Sequence, residues 1–154
     1  MREIQVGDRL PKLRLPRAGE QKAVRPLRGS HRDAVVVVAL HDPGCDRCRD
    51  YLQALVGAAS DFRTWDGSTR AVTDAGAGAA GLQEELGDRV DVLVDADRAL
   101  LDRVAPGAGP VTLVADRYGQ VFHIAAPGDG DPHPAMEPRE LEEWLKYLAT
   151  QCPE

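Results

Sequence analysis

Two of the chain's three cysteines stand one helical turn apart, in Cys45-Asp46-Arg47-Cys48. A sulfur pair at this spacing supports two kinds of chemistry. It can exchange electrons by making and breaking a disulfide, or it can supply half of a metal site. A zinc site needs a second Cys or His pair at short spacing, and His31, His41, His123 and His133 never occur as H-x3–5-H. Only His41-x3-Cys45-x2-Cys48 offers three ligands in a row, which leaves a metal as the weaker reading. Three cysteines do not make a disulfide framework. Cys152 reads as an incidental thiol on a fraying terminus, with a resolving or inter-chain role as its alternative.

The surrounding residues say how the pair is held. Ala34-Val35-Val36-Val37-Val38-Ala39-Leu40 is an unbroken apolar, β-branched run, the pattern of a strand buried on both faces. His41-Asp42-Pro43-Gly44 breaks it. Cys48, Tyr51, Leu52, Leu55, Val56 and Ala59 then form one helical stripe. Cys45 therefore falls at the first turn of a helix, where unpaired amides and the positive end of the helix dipole favour a thiolate. Arg47 adds to that preference and Asp46 opposes it. Cys48 lies one turn further in and deeper. The asymmetry assigns roles: Cys45 attacks a partner disulfide, and Cys48 resolves the mixed disulfide. His41, at the carboxyl end of the strand, is either a proton carrier for the thiolate or a structural histidine. His133 reads as solvated, and Phe62, Trp65 and Trp144 read as core.

The remaining pattern alternates strands and helices. Leu13–Leu15 and Ala23–Leu27 flank a turn and predict an early hairpin. Short strands are predicted at Thr69–Thr73 and Val90–Val94, with a helix over Ala79–Leu86 stopped by Gly87. Thr69–Thr73 reads as short and polar. Asp97 is placed to cap a helix carrying Leu100, Leu101 and Val104. Val111–Ala115 and Gln120–Ile124 form a second hairpin around Asp116-Arg117-Tyr118-Gly119, with Gly119 in the left-handed turn position. Pro138 opens a last helix striped by Leu141, Trp144, Leu145 and Leu148. The sum is an α/β layer with a mixed sheet.

A rival motif sits in Gly76-Ala77-Gly78-Ala79-Ala80-Gly81, which matches G-x-G-x-x-G, with Asp95 in the place of a ribose-binding acid. The preceding strand is polar and the helix short, so a flexible small-residue loop is the favoured reading over a dinucleotide site.

Length and charge bound the rest. One domain accommodates all 154 residues without staples. A net charge of −6 gives no footprint for nucleic acid. No apolar run approaches the ~20 residues of a membrane span, and Met1 to Asp8 holds no apolar export signal, so the expected compartment is the cytoplasm.

With these residues in place, the chain resembles the thioredoxin-like superfamily, in its redoxin branch of alkyl hydroperoxide reductase/thiol-specific antioxidant proteins and related thiol–disulfide reductases. The likeness runs over nearly the whole chain. It is carried by Val6-Gly7-Asp8-Arg9-Leu10-Pro11, by Pro26-Leu27-Arg28-Gly29 before the buried strand, and by the strand and cysteines themselves. Val92-Leu93-Val94-Asp95 and Gly109-Pro110-Val111-Thr112-Leu113-Val114-Ala115-Asp116 to Gly119 continue it. The resemblance implies a thioredoxin-like three-layer fold with a central mixed sheet and an N-terminal hairpin extension. It implies a cis Pro110 beside Cys45, with Gly109 presenting its backbone to a substrate strand, and Gly44 and Arg47 completing that surface. It implies a Cys45–Cys48 redox disulfide with no other cofactor. The expected partner is a protein or small-molecule disulfide or thiol, and the expected assembly a monomer or weak homodimer. Departures from the family pattern are specific. Gly44 replaces an aromatic, Arg47 a proline, and Ala39 the buried acid of thioredoxins. Asp42-Pro43-Gly44-Cys45 lacks the threonine of peroxiredoxins, and Pro110 stands where they carry an arginine. Peroxide reduction is accordingly the alternative to disulfide exchange, since the donors that polarise an O–O bond are missing.

Overall fold

The valine run is the centre of the molecule. The computed structural model describes residues 3–28, 33–40, 42–74, 76–104, 110–126 and 136–151. The strands are β1 (Arg14–Arg17), β2 (Glu20–Pro26), β3 (Ala34–Ala39), β4 (Gly67–Thr73), β5 (Asp91–Val94), β6 (Val111–Ala115) and β7 (Val121–Ala125). The helices are α1 (Asp46–Thr64), α2 (Gly76–Leu86), α3 (Leu101–Val104) and α4 (Pro138–Ala149). One sheet of order β2-β1-β5-β4-β3-β6-β7 contains all seven strands. β3 runs parallel to β4 and antiparallel to β6, so the sheet is mixed.

All six residues of β3 are buried, because both faces of the sheet are covered. Val36 and Val38 face Leu52, Leu55 and Phe62 of α1, Leu82 and Leu86 of α2, and Leu141 and Leu145 of α4. Val35, Val37 and Ala39 face the opposite cluster, with Leu101 and Val104 of α3 and with Ile4, Leu10 and Leu27. This is the three-layer arrangement with an N-terminal hairpin. Each fully buried Leu or Phe contributes about 1.5–3 kcal/mol of apolar transfer.

The structure corrects two expectations. The strand predicted at Thr69–Thr73 begins at Gly67, lies inside the sheet, and has Thr69, Arg70 and Thr73 buried. Its polar character is offset by partners distant in sequence. Arg70 pairs with Asp91 at 3.3 Å, while Arg17 approaches the same Asp91 at 3.0 Å and Asp88 at 3.2 Å. The cap of the third helix is Asp95, not Asp97. The Asp95 carboxylate accepts from the amides of Ala99 (3.1 Å), Leu100 (2.8 Å) and Leu101 (3.0 Å), whereas Asp97 is exposed.

Two glycine expectations are met: Gly87 ends α2 at φ +72° and Gly119 closes the β6–β7 turn at φ +84°. At Gly67 the requirement is space. A Cβ there would meet Leu145 Cδ1 at 2.6 Å and the Phe62 carbonyl at 3.1 Å, so α4 rests directly on the start of β4. The outer hairpin is attached lightly. β1 meets β5 through one register pair, Arg17↔Leu93, through the Ala18 amide on the Val92 carbonyl at 2.8 Å, and through the Arg17 ion pairs.

Candidate active site

The end of β3 delivers the chain to a turn built on Asp42. Its carboxylate accepts the Gly44 amide at 2.8 Å, and its carbonyl accepts the Cys45 amide at 3.2 Å. An aspartate closing its own turn in this way is common before proline and glycine. Cys45 is the N-cap of α1, in extended conformation (φ −71°, ψ 119°), and its side chain makes no capping hydrogen bond. Its carbonyl takes the first helical bond, from the Arg49 amide at 3.0 Å.

Both cysteines are thiols, Cys45 half-buried and Cys48 buried in the core under α1. Burial pushes the Cys48 thiol up to about 12, helped by a hydrogen bond to Cys45, by charge on Cys45 and by charge on Asp42. One turn further on, Tyr51 donates its hydroxyl to the Met136 carbonyl at 2.8 Å, and burial raises that phenol to about 12 as well. Thr112 Oγ1 is near enough to ease Tyr51's ionisation. It is buried and makes no hydrogen bond of ordinary geometry.

Gly44 and Arg47 are exposed beside Cys45. Pro110 is buried and precedes Val111, which pairs with Ala39, so it lies at the same end of the sheet as the cysteine turn. Gly109 and the bond joining it to Pro110 lie outside the described residues, as do His41, His133 and Cys152. His123 is elsewhere, stacked on Trp144 at 5.4 Å. Asp42 is the site residue that sequence reading passed over as a strand breaker. The Asp-Pro-Gly turn signal was there, but its proximity to Cys48 was not.

The glycine motif has a different use. Gly76, Gly78 and Gly81 are all within α2, and Asp95 is occupied as the α3 cap, so the expected small-residue loop is helix and the ribose acid is engaged. A Cβ on Gly78 would meet Pro43 Cγ at 3.0 Å, so α2 is bare where the cysteine turn packs against it. Arg49 and Glu85 form an ion pair that ties α1 to α2 beside this contact. Among the described residues no three His, Cys, Asp or Glu side chains converge as metal ligands.

No protein-family model matches the chain, and no curated protein matches it in sequence. Solved structures do. AhpC of Mycobacterium tuberculosis superposes with a TM-score of 0.74 at 16% identity, covering 96% of this chain and 94% of that one. A protein of Chlorobium tepidum assigned as the thiol:disulfide interchange protein DsbE gives 0.71 at 15% identity over 96% and 98%. The thioredoxin domain of a thiol-disulfide oxidoreductase from Bacteroides vulgatus gives 0.70 at 14% identity over 95% and 99%. Likeness at this identity speaks to the backbone, and the backbone agrees with the order of strands, the hairpin and the helix that starts at Cys45: the chain has the thioredoxin-like fold in its redoxin form.

Proposed function

We propose that the protein is a thiol–disulfide oxidoreductase, with Cys45 as nucleophile and Cys48 as resolving thiol. The observation that carries this reading is the inequality of two neighbouring sulfurs. Cys45 is accessible at a helix start, and Cys48 is buried and holds its proton to about 12. In the first step the Cys45 thiolate attacks one sulfur of a substrate disulfide, forming the Cys45–substrate bond and releasing the other sulfur as a thiolate. In the second, Cys48 gives up its proton and attacks Cys45 Sγ. The Cys45–substrate bond breaks, the second substrate thiolate leaves, and the enzyme holds a Cys45–Cys48 disulfide. Two electrons pass to the substrate. Asp42, whose charge acts on Cys48, is the acceptor we assign to that proton. Gly44 and Arg47, exposed beside Cys45, are the contacts proposed for a protein or small-molecule disulfide, with Gly109 and Pro110 as the further contacts that the family resemblance implies.

Insulin reduction driven by dithiothreitol tests the proposal. The wild-type chain accelerates precipitation, and Cys45→Ser does not. Equal rates for the two overturn it. The superposition on AhpC favours one second reading, peroxide reduction. There the Cys45 thiolate would take one peroxide oxygen as a sulfenic acid, releasing an alcohol, and Cys48 would condense with it, releasing water. Peroxide consumption with a thiol donor, lost in Cys45→Ser, selects that reading.

A further inference from the structure

The β7 border of the sheet, covered at its start where the Gly7 amide meets the Val121 carbonyl at 2.8 Å, carries a second feature, unconnected with the thiols. β7 pairs with β6 as Ala115↔Val121 and Val114↔His123, so Phe122 is an extra residue in a β-bulge. Strict alternation would send Phe122 and His123 to opposite faces. The bulge re-aims them, and both meet α4. His123 stacks on Trp144, with ring centres 5.4 Å apart and planes inclined at 26°. Phe122 meets Tyr147 edge-on at 6.5 Å and 67°. Tyr147 in turn stands at 85° to Trp144, 6.0 Å away.

Three rings thus wall a surface groove of about 460 Å³, and Glu140 and Glu143 line it with them. Among the described residues, no lysine or arginine lines it. Glu140, Glu143, Trp144 and Tyr147 recur at i, i+3, i+4 and i+7, so one face of α4 supplies both carboxylates and two rings. Tyr147 is 51% exposed, which is far more than a packing role requires.

Aromatic faces carry negative quadrupole potential, and carboxylates carry full charge. A pocket that combines them, with no lysine or arginine in its described lining, attracts an organic cation whose alkyl groups can touch the rings. We propose that this groove binds a small alkylammonium ion of the choline type. Phe122, Trp144 and Tyr147 contact its methyl groups, and Glu140 and Glu143 balance its charge.

The test is an NMR titration of the full chain with choline. A matched titration uses 3,3-dimethyl-1-butanol, which has the same shape and no charge. The expected result is a saturable shift of the Trp144 indole N–H with choline, none at Trp65, and no response to the neutral analogue. Tyr147→Ala weakens binding by about two- to fivefold, the effect of one ring at an exposed site. Glu140→Gln combined with Glu143→Gln weakens it further in low salt, and Cys45→Ser leaves it unchanged. An equal response to the neutral analogue overturns the proposal. So does an unmoved Trp144 indole, including one shielded because two copies of the chain cover the groove in solution.

Discussion

Two helices in this molecule begin in opposite ways. Ahead of α3, the buried Asp95 carboxylate accepts three backbone amides, so nothing is left over for a ligand. At α1 the capping position is held by Cys45, whose side chain caps nothing. The first arrangement stabilises the fold, and the second leaves amide donors facing whatever charge the sulfur carries. The chain has placed its strongest cap away from the site and a poor one at the site. A serine at position 45 would have given a better helix and no redox chemistry.

That contrast can be tested by inverting it. The largest effect is expected from Cys45→Ser, which lowers insulin reduction on the order of 10³-fold or more while raising unfolding free energy by up to about 1 kcal/mol. Asp95→Ala should do the reverse. Urea denaturation is expected to show a loss of about 2 kcal/mol, with activity per folded molecule preserved. A Cys45→Ser protein that loses stability, or an Asp95→Ala protein that keeps it, breaks the comparison. Gly67→Ala, which drives a methyl into Leu145 and the Phe62 carbonyl, should cost about 1–3 kcal/mol without touching either helix start.

The next effect is a pH dependence. Cys48 keeps its proton in the folded chain to about 12, against an ordinary value of 9.0, and Tyr51 does so to about 12 against 10.0. Both folded values are raised, so their stabilising contribution is complete below pH 9. Above pH 9 the unfolded chain releases protons that the folded chain retains, and stability falls as pH rises toward 12. Denaturation midpoints between pH 8 and 11 should slope downward in the wild type, with a shallower start to the slope in Cys48→Ala. The smallest effect is expected from Gly78→Ala. Helix propensity gains up to about 1 kcal/mol, and displacement of Pro43 by a few tenths of an ångström offsets it. Overall stability should barely change, while the alkylation rate of Cys45 shifts.

The parts of this architecture written in local pattern were legible. The valine run gave β3, the stripe from Cys48 to Ala59 gave α1, and Pro138, Gly87 and Gly119 marked their turns and ends. What escaped depends on contacts remote in sequence. β4 reads as polar because Asp91 and Asp88, which neutralise the arginines around it, arrive with β5 and its approach. Asp95 reads as a ribose acid because its capping reach extends to the sixth residue beyond it, past the usual spacing. The glycine motif makes sense only once Pro43 is seen against Gly78. Trp144 shares the stripe of the last helix and packs against the core as that stripe predicts, but the groove it also walls depends on the β7 bulge. At the site, the two cysteines and their order of depth were readable. Asp42 as a neighbour of Cys48 was not, because the turn that brings it back lies between them.

The slender attachment of β1 to β5 has a consequence for how the molecule comes apart. Five strands, β5 to β7 in the sheet order, are laced by continuous ladders, while β1 and β2 are held by one register pair, the Ala18–Val92 bond, the burial of Leu15 and Ala18, and a knot of charges around Arg17. Such a flap is expected to open before the five-strand body, with earlier hydrogen exchange at the Ala18 amide than at those of β3 as the check. Salt loosens it, since screening reaches the exposed carboxylate of Asp88 first. The cysteine turn follows β3, two strands in from β5, so opening of the hairpin is expected to leave the surroundings of Cys45 and Cys48 in place.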